Sequence, residues 1–483
     1  MRNRQTSGSR SATGSSSGTT AGTAIVLALA CAPQFMVVLD ISVVNVALPS
    51  IQRALGFDEA GLQWVVNAYA LTFAGFLLLG GRFADLFGRK RIFVLGLVLF
   101  SGASLAGGLA NLSSLLIVAR AVQGLGAAVL APATLTVLTT TFSEGTARTR
   151  ALATWTAVGI AGGTAGNLVG GVLTEYLPWR SILLINVPIG AVAIFLASRF
   201  LMADRGRGSR RRLDVAGAAL ATAGLASLTY GIAQARTYGW SAPVTIGALT
   251  AGAVAVALFV MVEARFARAP LIPLRLFRSR ALSAGNVAML LAGACLNPMW
   301  YFLTLHMQKA LNYSPLQTGL GFLPHTLVAI VVGARVTPWL MRHVEGRTLI
   351  VAGALIAAAG FWWQSQITAD SGYLAGILGP AIVFSVGSGL LNTPITTTVT
   401  SGIDAADAGA ASGLMNTTKQ FGGALGLAVL VTIAGSHLAT PDALAADYGR
   451  AFLTIAAILV AVAAVALTLP GQRDGERRRA VND

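Results

Sequence analysis

Asp40 stands in the run "QFMVVLDISVVNVALPSI", with Met36 to Leu39 on one side and Ile41 on the other. A carboxylate among such residues must face a wet cavity, find a partner or take up a proton. Three roles fit it: proton handling, a structural hydrogen bond between helices, or holding a cation. Asn45 and Pro49 follow in the same run, where Asn bonds across helices and Pro loosens a helical turn. Arg120, in "LLIVARAVQGLGAA", is a second charge among apolar residues, and a guanidinium does not release its proton. Gln123 follows it by three positions, on the same helical face. Lys419 and Gln420, in "ASGLMNTTKQFGGALG", add a third charge beside a polar run. That lysine lines a cavity or reaches a helix end by snorkelling. Trp300 and Tyr301, with Phe302, Met299 and Met307, offer broad adaptable apolar surface, suited to an aromatic ligand or to anchoring at a membrane interface. His306 is expected at the interface.

The elements that carry these residues are long and apolar. Hydrophobic residues make up 55% of the 483 and charged residues 11%, and mean hydropathy is +0.71. These values exclude a water-soluble globule. Fourteen apolar stretches follow one another, the first at 23–50, the second at 60–79 and the last at 451–469. Each is long enough to cross roughly 30 Å of hydrocarbon as a helix at about 1.5 Å per residue. The expected fold class is an all-α polytopic membrane protein. Six spans (23–199) precede a segment of basic linkers and two spans (200–280), and six more follow (281–469), with tails at 1–22 and 470–483. Two six-helix bundles around a central cavity suit alternating access. The Ser/Thr/Gly-rich tail 1–22 is expected to be disordered.

The formal charge of +16 is distributed by side. Both tails and alternate loops carry 27 basic residues against five in the opposite loops, which places both termini in the cytoplasm by the positive-inside rule. The densest cluster, "RGRGSRRRLD" from Arg205 to Asp214, is expected to rest against anionic lipid headgroups rather than on nucleic acid. Cys31 and Cys295 fall inside spans and are expected to be packing residues. No phosphate-binding loop, metal cluster or hydrolytic triad is visible in the sequence, so neither an enzyme nor a bound cofactor or metal is expected. On this topology, Asp40 lies about 12 Å and Arg120 about 10 Å from the outer ends of their helices. Burial favours a neutral acid and a nearby cation favours the carboxylate, so a changing separation between the two residues would load and release a proton.

"GRFADLFGRKR" (Gly81 to Arg91) joins the second and third spans. Asp85 there can accept from Arg89 or latch one half of the molecule to the other, while positive-inside topology alone accounts for the basic residues. "GGTAGNLVGG" in the fifth span sets Gly162, Gly166, Gly170 and Gly171 in small-xxx-small spacing, a thin face that lets helices approach closely.

The Asp40 segment, "GRFADLFGRK", "RAVQGLGAA" and "WRSILLINVPIG" (Trp179 to Gly190) together resemble the fourteen-span drug:proton antiporter branch of the major facilitator superfamily, over nearly the whole chain. The resemblance implies proton coupling through Asp40 and Arg120, with protons as the coupling ion. It implies a conformational switch at Gly81, Asp85, Gly88, Arg89 and Lys90. An antiporter motif maps onto Gly162, Gly166, Asn167, Gly170 and Gly171, with Asn167 where the family has proline. Lys419 stands where the family usually carries arginine, which keeps the charge and loses the planar fork. A substrate cavity is expected at Asn45, Gln123, Trp300, Tyr301, Lys419 and Gln420. The implied protein is a monomeric secondary exporter of lipophilic drugs or antibiotics in the bacterial inner membrane, in contact with membrane lipids. A proton-coupled importer of a small organic solute and a membrane sensor remain open.

Overall fold

The computed structural model describes residues 16–142, 146–201, 214–266, 274–368, 371–400, 403, 408–435 and 440–470. Among these residues there is no strand, as expected where no water is present to satisfy exposed backbone groups. Joining contiguous pieces gives fourteen long helices: α1 (Ser16–Leu55), α2 (Glu59–Phe87), α3 (Arg89–Gly108), α4 (Ser113–Thr141) and α5 (Thr146–Tyr176); α6 (Ser181–Phe200); α7 (Val215–Tyr238) and α8 (Pro243–Met261); α9 (Arg280–Ala310), α10 (Pro315–Leu340), α11 (Gly346–Gln364) and α12 (Tyr373–Val399); and α13 (Ala408–Ala434) and α14 (Pro441–Ala466). Thirteen are long and apolar enough to cross a membrane. The other, α2, has 29 residues, a length of about 43 Å.

The first six helices pack on one another, α1 against α5 and α2 and α3 against α4. The last six do likewise, α9 against α13 and α11 against α12 and α14. The two groups meet where α5 packs on α10 and α2 on α13. Gln308 Nε2 donates to the Val46 carbonyl at 2.8 Å, and Thr417 Oγ1 to the Ala74 carbonyl at 3.2 Å. The middle pair is not uniformly peripheral. α8 is largely exposed, with 11% of its most apolar window buried, but α7 packs on both α2 and α13 and its Ile232 carbonyl accepts from Thr432 Oγ1 at 3.1 Å.

Several helix ends depart from the hydropathy reading. α1 begins at Ser16, so the end of the tail expected to be disordered, 16–22, is helical; residues 1–15 and 471–483 lie outside the described residues. α2 runs to Phe87 rather than 79 and α3 starts at Arg89, which reduces the expected loop to Gly88 at φ +92°. That conformation suits a residue without Cβ. α14 begins at Pro441, ten residues before the expected 451. Thr440 Oγ1 caps it by accepting from the Ala443 amide at 3.2 Å, and Pro fits the first helical position. Its early turns carry Asp442, Asp447 and Arg450, which a hydropathy criterion rejects; Arg450 pairs with Asp447 and donates to the Ala434 carbonyl at the end of α13. Most of the Arg205 to Asp214 cluster lies outside the described residues.

Candidate functional site

Asp40 and Arg120 meet. Arg120 Nη1 donates to Asp40 Oδ2 at 2.5 Å, and the two residues are 2% and 0% exposed. Gln123 Nε2 donates to the other carboxylate oxygen, Oδ1, at 2.7 Å. Asn186 Nδ2 donates to the same oxygen at 2.8 Å. Ser104 Oγ accepts from Gln123 Nε2 at 2.8 Å and from Asn186 Nδ2 at 3.4 Å. The guanidinium is held on its other edge, where Nε donates to the Val65 carbonyl at 3.0 Å and the group lies 4.5 Å from the centroid of the Tyr69 ring. Five helices of the first half thus converge on one carboxylate. Each contact is a donor to the ionised acid or a support for such a donor, and a buried charge is tolerated only with this kind of satisfaction.

The convergence depends on local breaks and on glycine. Pro188 lacks the N–H that the Leu184 carbonyl would accept from, and the α-helical geometry of α6 is interrupted at Ile185, directly before Asn186. α4 approaches α2 through Gly124, where an added Cβ would lie 2.3 Å from the Tyr69 carbonyl oxygen. The glycines of the fifth span divide their task. A Cβ at Gly162, Gly166 or Gly170 would strike α1 at Phe35, Leu39 with Ser42, or Val43. At Gly171 it would lie 2.9 Å from the Pro315 carbonyl oxygen of α10, in the other half. Asn167 reinforces this crossing, because a Cβ on Gly319 would come within 2.4 Å of its carbonyl oxygen.

A cavity of about 380 Å³ opens between the halves, lined by Asn45, Asn167 and Arg120 on one side and by Trp300, Lys419 and Gln420 on the other. Tyr301 also contributes to the wall. Asp40 does not. It lies behind Arg120, so the arginine touches both the cavity and the acid. Gln123, expected on the cavity wall, is absent from it; its amide is taken up by Asp40, Ser104 and Arg120. Trp300 faces the cavity rather than a membrane interface, backed by Phe322 and His325 with ring centroids at 5.1 and 5.4 Å. His306, expected at the interface, is fully buried beside Tyr448. Cys31 and Cys295 are buried free thiols.

At the switch segment, Gly88 forms the joint and Lys90 Nζ donates to the Ser198 carbonyl at the end of α6, at 2.5 Å. This latch stays within the first half. Gly81 and Asp85 lie in α2, but their surroundings, and any Asp85 contact with Arg89, fall outside what the structure describes.

Asn186, Ser104 and Asn297 were missing from the sequence-derived site. Asn297 and Pro298 mark the break in α9, where Asn297 lines the cavity and donates to Gln420 Oε1 at 3.2 Å. Asn186 with Pro188 and Asn297 with Pro298 share a usable sign: an amide beside a helix breaker inside an apolar span. Interrupted helices near the middle of the membrane are a recurrent way of building transporter sites.

The Major Facilitator Superfamily profile matches residues 31–427. The chain belongs to that superfamily. It is 58% identical to the cephamycin export protein CmcT of Amycolatopsis lactamdurans, over 93% of each chain. It is 40% identical to the puromycin resistance protein pur8 of Streptomyces alboniger, over 88% of this chain and 83% of that one. Among solved structures, an auto-inhibited peptide transporter of the POT family superposes with a TM-score of 0.67 at 14% identity, over 93% of this chain and 96% of that one. At that identity the likeness concerns the fold. The protein is therefore an integral membrane transporter of the superfamily, with antibiotic export and resistance proteins among its relatives.

Proposed function

We propose that the protein exports an antibiotic-type small molecule across the bacterial inner membrane in exchange for protons, with both termini in the cytoplasm. The observation that carries this reading is Arg120, which holds the buried Asp40 carboxylate on one side and forms cavity wall on the other. Any movement of the halves that draws the guanidinium away leaves Asp40 without its counter-charge, and a buried unpaired carboxylate takes up a proton. Return of the guanidinium expels that proton. Substrate in the cavity and the proton on Asp40 then favour different arrangements of the same element, which is what coupling requires. Gly171 and Gly319 give α5 and α10 a close backbone contact between the halves, a place where rigid bodies can separate without side-chain rearrangement. The relatives' names support antibiotics as cargo, whether the pump is dedicated to one or broad.

The reading is tested by expressing the protein in a host stripped of its own exporters and following intracellular β-lactam and puromycin. Lower steady accumulation, abolished by a protonophore, is expected for at least one of them. Accumulation raised above the empty host would instead identify an importer.

A further inference from the structure

The charge balance of the cavity wall selects among substrates. Among the described residues, Arg120 and Lys419 are its cationic members and no Asp or Glu lies on it. The charge of Arg120 is already met by Asp40. Lys419 makes no ion pair or hydrogen bond among the described residues, so the wall holds one basic side chain with no counter-charge from the protein.

Lys419 is also fixed in place. It lies eleven residues into α13 and fifteen from its far end, so the nearer end is about 16 Å away, farther than a lysine stem spans by snorkelling. α13 packs backbone to backbone against α9 at this level. A Cβ on Gly293 would come within 2.2 Å of the Lys419 carbonyl oxygen, and one on Gly422 within 2.1 Å of the Leu290 carbonyl oxygen. A cation held in the interior without a partner is costly. The described residues of the cavity supply no acid to relieve it. A cationic substrate would add repulsion, whereas an organic anion completes the pair. The same cavity wall carries the amides of Gln420, Asn297 and Asn167, together with the Trp300 ring.

We propose that the cavity is built for amphiphilic organic acids, with the carboxylate of the exported molecule paired to Lys419 Nζ, its polar groups on the neighbouring amides and its apolar body against Trp300. This rests on the export reading and narrows it to a substrate class.

The test uses purified full-length protein and a panel of cephem and penam carboxylic acids, each with its own methyl ester, so that charge is the main difference within a pair. Affinity is read by quenching of tryptophan fluorescence, and proton movement in proteoliposomes is read separately. In the wild type the acid is expected to bind more tightly than its ester. In Lys419→Met the Kd of the acid is expected to rise about tenfold or more while that of the ester shifts by less than about threefold, as for loss of one charge-assisted contact. Lys419→Arg should recover most of the acid's affinity, a rescue that a purely structural role would not link to ligand charge. Equal weakening of acid and ester in Lys419→Met, an unchanged acid Kd, or failure of every acid to bind the wild type would overturn the proposal. Charge-dependent binding without proton movement would leave it standing and refute proton exchange. Proton movement driven equally by ester and acid would do the reverse.

Discussion

The two halves place their buried charges in opposite circumstances. In the first half Asp40 and Arg120 neutralise each other within a network completed by Gln123, Asn186 and Ser104. In the second half Lys419 stands on a cavity wall that has no acid among its described residues. Both sites sit beside an interrupted helix that supplies an asparagine, but Asn186 donates to a carboxylate and Asn297 to a neutral amide. The difference separates two tasks. A charge that has its partner inside the protein can switch between protonation states when that partner moves; a charge without one is available to cargo.

The largest effect is expected from Arg120→Met, which leaves the buried Asp40 without its partner and should lower stability by about 3–5 kcal/mol. Adding Asp40→Asn to the same chain removes the unpaired acid and should recover part of the loss, measured as thermal unfolding in detergent. Lys419→Met, which removes a charge with no protein partner, should not destabilise. If it costs as much as Arg120→Met, the contrast between the halves fails.

The two asparagines sharpen the contrast on a smaller scale. Asn186→Leu removes a donor to a carboxylate and is expected to cost about 1.5–3 kcal/mol, against about 0.5–1.5 kcal/mol for Asn297→Leu, which removes a bond between neutral amides. Only Asn186→Leu should alter the pH dependence of proton movement, and only Asn297→Leu should weaken ligand binding directly. Matching profiles for the two variants would show that the halves are not divided in this way.

Much of this was legible in the sequence, because a bilayer imposes a strong and repetitive pattern. The spans, the isolation of Asp40 and Arg120 and their common depth follow from hydropathy and helix rise alone. What was lost depends on long-range convergence. Ser104 and Asn186 are 64 and 146 residues from Asp40 in the chain, and a single serine or amide in an apolar helix reads the same whether it bonds its own backbone or another helix. Gln123 was placed on the right face but assigned to the cavity, since three-residue spacing fixes direction and not which neighbour stands there. The start of α14 was missed because Asp442, Asp447 and Arg450 break the hydropathy run, although Arg450 pairs with Asp447 and bonds to the end of α13.

The central claim is that Asp40 carries the proton and is released by movement of Arg120. It is tested most directly in proteoliposomes with an acidic lumen, following lumenal pH while a cephem carboxylic acid is added outside, for the wild type and for Asp40→Asn. Substrate-triggered proton efflux in the wild type and none in Asp40→Asn, with ligand binding retained in both, is the predicted result. Efflux of equal rate in Asp40→Asn would contradict the claim and move the coupling proton to another group.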